Sequence, residues 1–165
     1  MTIRSLTTTW EDPMPGARAA QELAGVDFLR KLAAGDFSPA PFARLLGATI
    51  ESVEPGRVTF AMVPGEQHYN PIGVVHGGLL ATLLDSAMGC AVQSKLPAGS
   101  TWTTVELHTN FVRPVVMTTG KIVAEGTVLH AGSRVSTAEG RIVDGSGKLY
   151  AHATTTCLVF PARPS

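Results

Sequence analysis

The 165-residue sequence predicts an α+β fold in which an antiparallel sheet wraps around one long central helix. Three observations carry that expectation. From Leu79 the apolar residues recur in adjacent pairs (Leu79/Leu80, Leu83/Leu84, Ala87/Met88, then Ala91), which is helical spacing with a stripe wide enough to be buried. Between Glu66 and Lys95 the only formal charge is Asp85, so this helix belongs to an interior. Around it lie short β-type runs, two before and four after, without the βαβ alternation of a parallel sheet.

Residues 1–16 are polar, proline-marked and without period, which predicts a flexible arm ordered only if Trp10 finds a groove. Residues 17–47 read as a helical extension. One helix runs from Ala17 to Ala34, with Leu23, Val26 and Leu29 on one side, and ends at Gly35-Asp36. A second, short one has Ser38 as N-cap and Pro39 in its first turn, and stops at Gly47. The pair is expected to form a lid or packing flap without chemistry of its own.

Residues 48–160 form the main domain, and 161–165 a tail. Ala48–Val53 and Arg57–Val63 make a hairpin across Glu54-Pro55-Gly56. The central helix follows and is broken by Leu96-Pro97-Ala98-Gly99. Four strands come next, Thr101–Val112, Gly120–His130, Arg134–Val143 and Lys148–Phe160, joined by short turns as a meander. In the first of these Val105, Leu107 and Phe111 alternate with Thr104, Glu106, His108 and Asn110, which predicts one buried face.

Composition narrows the partners. Apolar residues make up 44% and charged ones 16%, the texture of a globular chain that also buries surface in an oligomer. Net charge is zero with no basic run, which argues against nucleic acid. Cys90 and Cys157 lack metal-ligand spacing and read as buried free thiols of a cytoplasmic protein. His68, His108, His130 and His152 lack mutual spacing for a metal site and are expected to be structural or solvated. No run reaches transmembrane length, so no membrane partner is expected.

The second face of the central helix carries the chemistry. Gly78, Ala81, Thr82, Asp85, Gly89 and Val92 fall at three- and four-residue steps, and all but the acid are small or apolar. At the helix start, His76-Gly77-Gly78 leaves backbone N–H groups without partners in the positive field of the dipole, with no side chain to block access. Such an end holds a carbonyl oxygen as it becomes an oxyanion; equally, His76 caps the helix and the glycines permit a tight entry turn. Gly77 and Asp85 are eight residues apart, so ~12 Å separates them along one helix. They become partners only if a second copy of the helix lies antiparallel, which predicts a two-fold dimer with two shared sites.

Taken together, HYNPIGVVHGGLLATLLD, TTVELHTNFVRP, GSR and GKLYAHATTT resemble the hot-dog-fold acyl-CoA thioesterases of the phenylacetyl-CoA (PaaI-like) and 4-hydroxybenzoyl-CoA type, over about residues 45–160. The resemblance implies that fold, a homodimer, often paired into a tetramer, and sites at the subunit interface. By position, Asp85 corresponds to the catalytic acid, as nucleophile or as general base towards water. Gly77 corresponds to the oxyanion donor, with His76 adjacent, and Asn70 to a polar residue that helps bind the thioester or the water. Thr104 corresponds to a hydroxyl position, with Thr103 as a substitute if the loop length shifts. Gly78, Arg113, Ser133 and Arg134 correspond to positions that meet substrate, the arginines suiting coenzyme A phosphates. No cofactor or metal is implied, coenzyme A being part of the substrate.

Two other functions fit the same scaffold. One is a non-catalytic acyl-CoA-binding protein, against which stands the presence of the acid. The other is a hydratase or dehydratase, for which Asp85 lacks a histidine partner. Met88, Phe60, Val112 and the N-terminal helices are all candidates to shape the acyl pocket.

Overall fold

A computed structural model describes residues 2–162. The chain runs α1 (Met14–Glu22), α2 (Gly25–Ala34), α3 (Pro41–Leu46), β1 (Thr49–Glu54), β2 (Arg57–Met62), α4 (Gly77–Gln93), β3 (Ser100–Phe111), β4 (Ile122–Ala131), β5 (Val135–Asp144) and β6 (Leu149–Pro161). Residues 163–165 of the predicted tail lie outside the described residues. One six-stranded antiparallel sheet, ordered β1-β2-β4-β5-β6-β3, wraps the central helix α4, which is the predicted architecture. No helix among the described residues is long and apolar enough to cross a membrane.

The core lies between α4 and the concave face of the sheet. Leu83, Leu84, Ala87, Met88, Ala91 and Val92 meet Val58, Ile122, Ala124, Ala138 and Ile142, all buried. Two glycines on neighbouring strands let the helix settle this deeply: Gly126 on β4 pairs with Gly140 on β5. A Cβ at Gly126 would sit 2.4 Å from the Ala87 backbone, and one at Gly140 2.9 Å from Met88 Cγ. Met88 is therefore core, not pocket.

The meander is only partly present. β4, β5 and β6 follow one another, but β3 pairs with β6 at the far edge instead of with β4. The reason is where α4 delivers the chain: having crossed the sheet, it leaves β3 beyond β6, and residues 112–121 carry the chain back to β4. The apolar face expected to be buried on β3 is accordingly open in the single chain. Val105 is 52% exposed, Leu107 36% and Phe111 51%, on an edge strand with a bulge between Thr104 and Glu106.

The N-terminal extension departs from expectation in three places, the first being that α1 begins at Met14, inside the stretch expected to be an arm, with Pro13 just ahead of its first turn. The single helix Ala17–Ala34 is two, because the Gly25 N–H goes to the Leu96 carbonyl (3.0 Å) instead of continuing a helical ladder. A Cβ at Gly25 would lie 1.8 Å from the Gln93 carbonyl oxygen, so the break is where α2 crosses the end of α4. Likewise α3 begins at Pro41, not Pro39. A residue before proline is held extended, and Ala40 sits at ψ 139°. Ser38 thus caps nothing, and its hydroxyl is buried without a partner among the described residues. Residues 2–12 are irregular, and Trp10 remains 56% exposed.

Candidate active site

Asp85 sits midway along α4, half-buried. Its Oδ1 accepts a hydrogen bond from Thr104 Oγ1 on β3 at 2.8 Å. Its Oδ2 accepts none from the described residues, and no lysine or arginine among them pairs with it. Thr104, not Thr103, makes this contact because side chains alternate along the strand. Thr104 stands opposite the buried Cys157, whereas Thr103 is exposed. The bulge that follows Thr104 ends the regular alternation where this residue is aimed at the helix.

Two thiols flank the carboxylate. Burial pushes the Cys90 thiol up to about 12, and the negative charge of Asp85 adds to the rise. Burial, with a smaller contribution from Asp85, also raises Cys157. Both stay protonated at neutral pH, and the thiolate is the nucleophilic form, so neither cysteine competes with the carboxylate for that role.

At the other end of the element, His76 is the N-cap of α4. Its Nδ1 accepts the Gly78 N–H at 2.9 Å, while its carbonyl accepts from Leu79. Gly78 therefore has its amide engaged. The Gly77 N–H is left over, with no acceptor among the described residues. Phe111 packs against this turn so closely that a Cβ on Gly77 would lie 3.2 Å from its ring.

Gly77 opens onto a cleft of about 310 Å³ that Asn70, Phe111, Val112 and Arg113 also line. Asn70 Oδ1 accepts the N–H groups of Ile72 (3.1 Å) and Val74 (3.3 Å), closing the tight turn that precedes the helix. With the oxygen occupied, the Nδ2 donors have no acceptor among the described residues. Arg113 donates to the Leu149 carbonyl at 2.6 Å, which anchors its guanidinium at the rim. Buried His68 braces the same region. Its Nδ1 accepts the Gly65 N–H (2.9 Å) and its carbonyl accepts the His76 N–H (2.9 Å), so it is a structural histidine.

The candidate residues thus fall into separate groups within one chain. Gly77, Asn70, His76 and Arg113 gather at the start of α4. Asp85 and Thr104 meet midway, and Asp85 lines a different and larger cavity together with the N-terminal helices. Ser133 and Arg134 lie exposed on the β4–β5 turn. That turn is at the opposite end, where Gly56 ties the end of α4 (through Ser94 Oγ, 2.7 Å) to Val128 of β4 (2.8 Å). Sequence reasoning missed Trp102, which borders the Asp85 cavity. The available signal was Gly89 in mid-helix: a Cβ there would sit 1.9 Å from the Trp102 ring.

Comparison with known proteins identifies the family. Residues 72–151 match a family model described as the thioesterase superfamily. A putative esterase of Halobacterium salinarum is 34% identical over 59% of this chain; the match spans 66% of that relative, just under two thirds of its length. Acyl-coenzyme A thioesterase 13 of Mus musculus is 30% identical, over 61% of this chain and 76% of the relative. Among solved structures, a putative thioesterase of Ralstonia eutropha, titled a phenylacetic acid degradation-related protein, is 30% identical with a TM-score of 0.70, covering 78% of this chain and 97% of that one. The PaaI protein of E. coli has a TM-score of 0.73 at 23% identity, covering 87% of this chain and 100% of that one, a likeness of fold. With the helix-in-sheet architecture, these matches place the chain in the hot-dog thioesterase superfamily.

Proposed function

We propose that this chain is an acyl-coenzyme A thioesterase that works as a homodimer, each site shared between two protomers. The observation that carries the proposal is a half-buried carboxylate with one oxygen held by Thr104 and the other free, ~12 Å along the same helix from the uncommitted Gly77 N–H. A thioester carbonyl resting on Gly77 is out of reach of its own Asp85. It is within reach of a partner's Asp85 once two α4 helices lie side by side and antiparallel.

The open edge of β3 supports that pairing. It is a twelve-residue edge strand with exposed Val105, Leu107 and Phe111, interrupted by a single bulge before Glu106. Joining two such edges antiparallel continues the sheet from one protomer into the next and sets the helices head to tail. The same two-fold brings the partner's β4–β5 turn towards the Gly77 cleft. Ser133 and Arg134 of one chain then join Arg113 of the other around the coenzyme A phosphates. A pairing of such dimers into tetramers fits the same scheme.

In the reaction the thioester carbonyl oxygen takes the Gly77 N–H, with the Asn70 amide as second donor. His76 acts indirectly by capping the helix through Gly78, which leaves Gly77 free. Asp85 of the partner protomer either attacks the carbonyl carbon or takes a proton from the attacking water. In the general-base route the tetrahedral oxyanion collapses, the C–S bond breaks and the proton held by Asp85 passes to the departing coenzyme A sulfur, so acid and thiol leave together. In the nucleophilic route the same collapse expels the coenzyme A thiolate and leaves an acyl–Asp85 anhydride. Water then hydrolyses the anhydride to free the acid, restore the carboxylate and supply the thiol proton. Thr104 holds the carboxylate in line throughout.

Steady-state hydrolysis of a panel of acyl-CoAs by wild type and Asp85→Asn tests the reading. Turnover that Asp85→Asn abolishes supports it, whereas binding without turnover by the wild type points to a sensor. A single turnover in oxygen-18 water separates the two chemical routes: label recovered in Asp85 means nucleophilic attack, and label only in the product acid means general-base catalysis.

A further inference from the structure

We propose that the N-terminal helices build the acyl-chain pocket of this chain, and that its substrate carries a long aliphatic acyl group. The inference rests on the thioesterase reading above and adds the class of acyl group. The cavity lined by Asp85 measures about 780 Å³, against 310 Å³ for the Gly77 cleft. That is the size of a cavity built for a whole ligand, roughly 300–1,000 Å³. Its walls are apolar side chains drawn from four elements and the α2–α3 link: Phe28 and Leu32 on α2, Phe37 on the link, Phe42 on α3, Phe60 on β2 and Trp102 on β3. Apart from Asp85, the charged residues that line it are Glu11, Asp36 and Arg44, all on exposed positions.

Shape argues for a chain over a ring. Asp85 and Gln93 both line the cavity, and eight residues of helix separate them by ~12 Å. An acetyl or single aryl group would fill only the end nearest the carboxylate. An extended hydrocarbon runs its length, away from the water that Asp85 needs. The hydroxyl beside the carboxylate, Ser86, is already committed to the Thr82 carbonyl at 2.8 Å, so it is not poised to read a polar substituent. The outer wall is fastened down: the Gly25 N–H reaches the Leu96 carbonyl (3.0 Å), and the Gly99 N–H reaches the Gln21 carbonyl (2.9 Å). Neither α2 nor α3 lies within the 72–151 stretch that matches the superfamily model, so the wall they form is set outside that matched core.

The test uses the full chain and a straight-chain series from acetyl-CoA to palmitoyl-CoA, with phenylacetyl-CoA beside it. For the wild type, kcat/KM rises about fourfold per added methylene until the cavity is full. Leu32→Trp lowers the ratio of kcat/KM for palmitoyl-CoA over butyryl-CoA by about tenfold or more, and Leu32→Ala, if the larger variant does not fold, raises it. The ratio is internal to each variant, so partial loss of folded protein does not imitate it. Turnover of acetyl- or phenylacetyl-CoA without gain along the series leaves thioester hydrolysis standing and overturns the acyl pocket. Turnover of none of them sinks the thioesterase reading itself. The pocket is then decided by titrating Asp85→Asn with a fluorescent fatty acid: binding that Leu32→Trp weakens supports it, and no binding overturns it.

Discussion

Thr104 reaches from β3 to Asp85 on α4, its Oγ1 2.8 Å from Oδ1, and this is the one side-chain bond the carboxylate makes among the described residues. An otherwise unpaired, half-buried carboxylate on an apolar helix is costly to keep unless it is used. Its free oxygen is the expected point of chemistry.

Asp85→Asn keeps the shape of the side chain and can still accept from Thr104, but it cannot attack or take a proton. The expected result is a fall in kcat of roughly 10²–10⁴-fold with KM for acyl-CoA little changed. A variant that retained more than a tenth of wild-type kcat would remove Asp85 from the mechanism.

In the proposed mechanism Thr104 is a positioning residue, and the split between kinetic constants distinguishes that role from a structural one. Thr104→Val keeps the β-branched volume and loses the donor. A hydrogen bond to a charged group is worth about 1.5–3 kcal/mol, so kcat should drop roughly tenfold to a hundredfold. Thr104→Ser restores the hydroxyl and should recover most of it. A merely structural residue would show neither the selective loss in kcat nor the rescue.

How much of this was legible beforehand differs from element to element. α4 and its lone acid stand out because helical periodicity and the absence of charge are local properties. The β3–β6 pairing does not, because strand order depends on where a helix sets the chain down, and no short stretch encodes that. The split between α1 and α2 has a tertiary cause, the Gly25 contact with the end of α4, and the one local sign of it is Gly25 itself, since a single glycine is tolerated inside a helical pattern. The choice between Thr103 and Thr104 rested on a register that the bulge before Glu106 decides. The N-terminal helices looked chemically silent because their contribution is a wall, and walls leave no motif.

The Gly77 N–H can be removed without breaking the helix. Gly77 is the first residue of α4, a position where proline is well tolerated, and His76 already has the extended ψ of 130° that a residue before proline requires. Gly77→Pro removes the N–H and adds a ring whose Cβ lies 3.2 Å from Phe111, so Gly77→Ala, which brings the same Cβ and keeps the N–H, is the control for the steric part. Loss of one oxyanion donor should cost about 10²–10³ in kcat. Mixing Gly77→Pro with Asp85→Asn protomers, each inactive alone, should regenerate activity, since a hybrid dimer holds one site with both groups intact. No recovery after demonstrated subunit exchange would mean that the groups do not act across an interface.

Helix backbone meets sheet backbone at Gly126, where an added Cβ would lie 2.4 Å from the Ala87 carbonyl. Backbone cannot rotate aside as a side chain can, so Gly126→Ala forces α4 outward. The expected destabilisation is about 1–3 kcal/mol, read as a lower midpoint in urea unfolding at unchanged slope. Because the shift carries Asp85 with the helix, activity should fall even where the variant stays folded.

Stability should also respond to pH through His68. Burial lowers its affinity for a proton in the folded chain, and its Nδ1 must stay unprotonated to accept the Gly65 N–H. The unfolded chain takes up that proton at the ordinary histidine value, about 6.5. Below it the unfolded state binds more protons than the native one, so protonation favours unfolding. The contribution from His68 is fully present above about pH 7 and is lost as the pH falls below about 6.5 towards the lowered native value. Urea midpoints measured across that window should fall for the wild type and fall less steeply for His68→Gln, whose side chain offers an acceptor without titrating. Parallel curves for the two proteins would assign the acid sensitivity to another group.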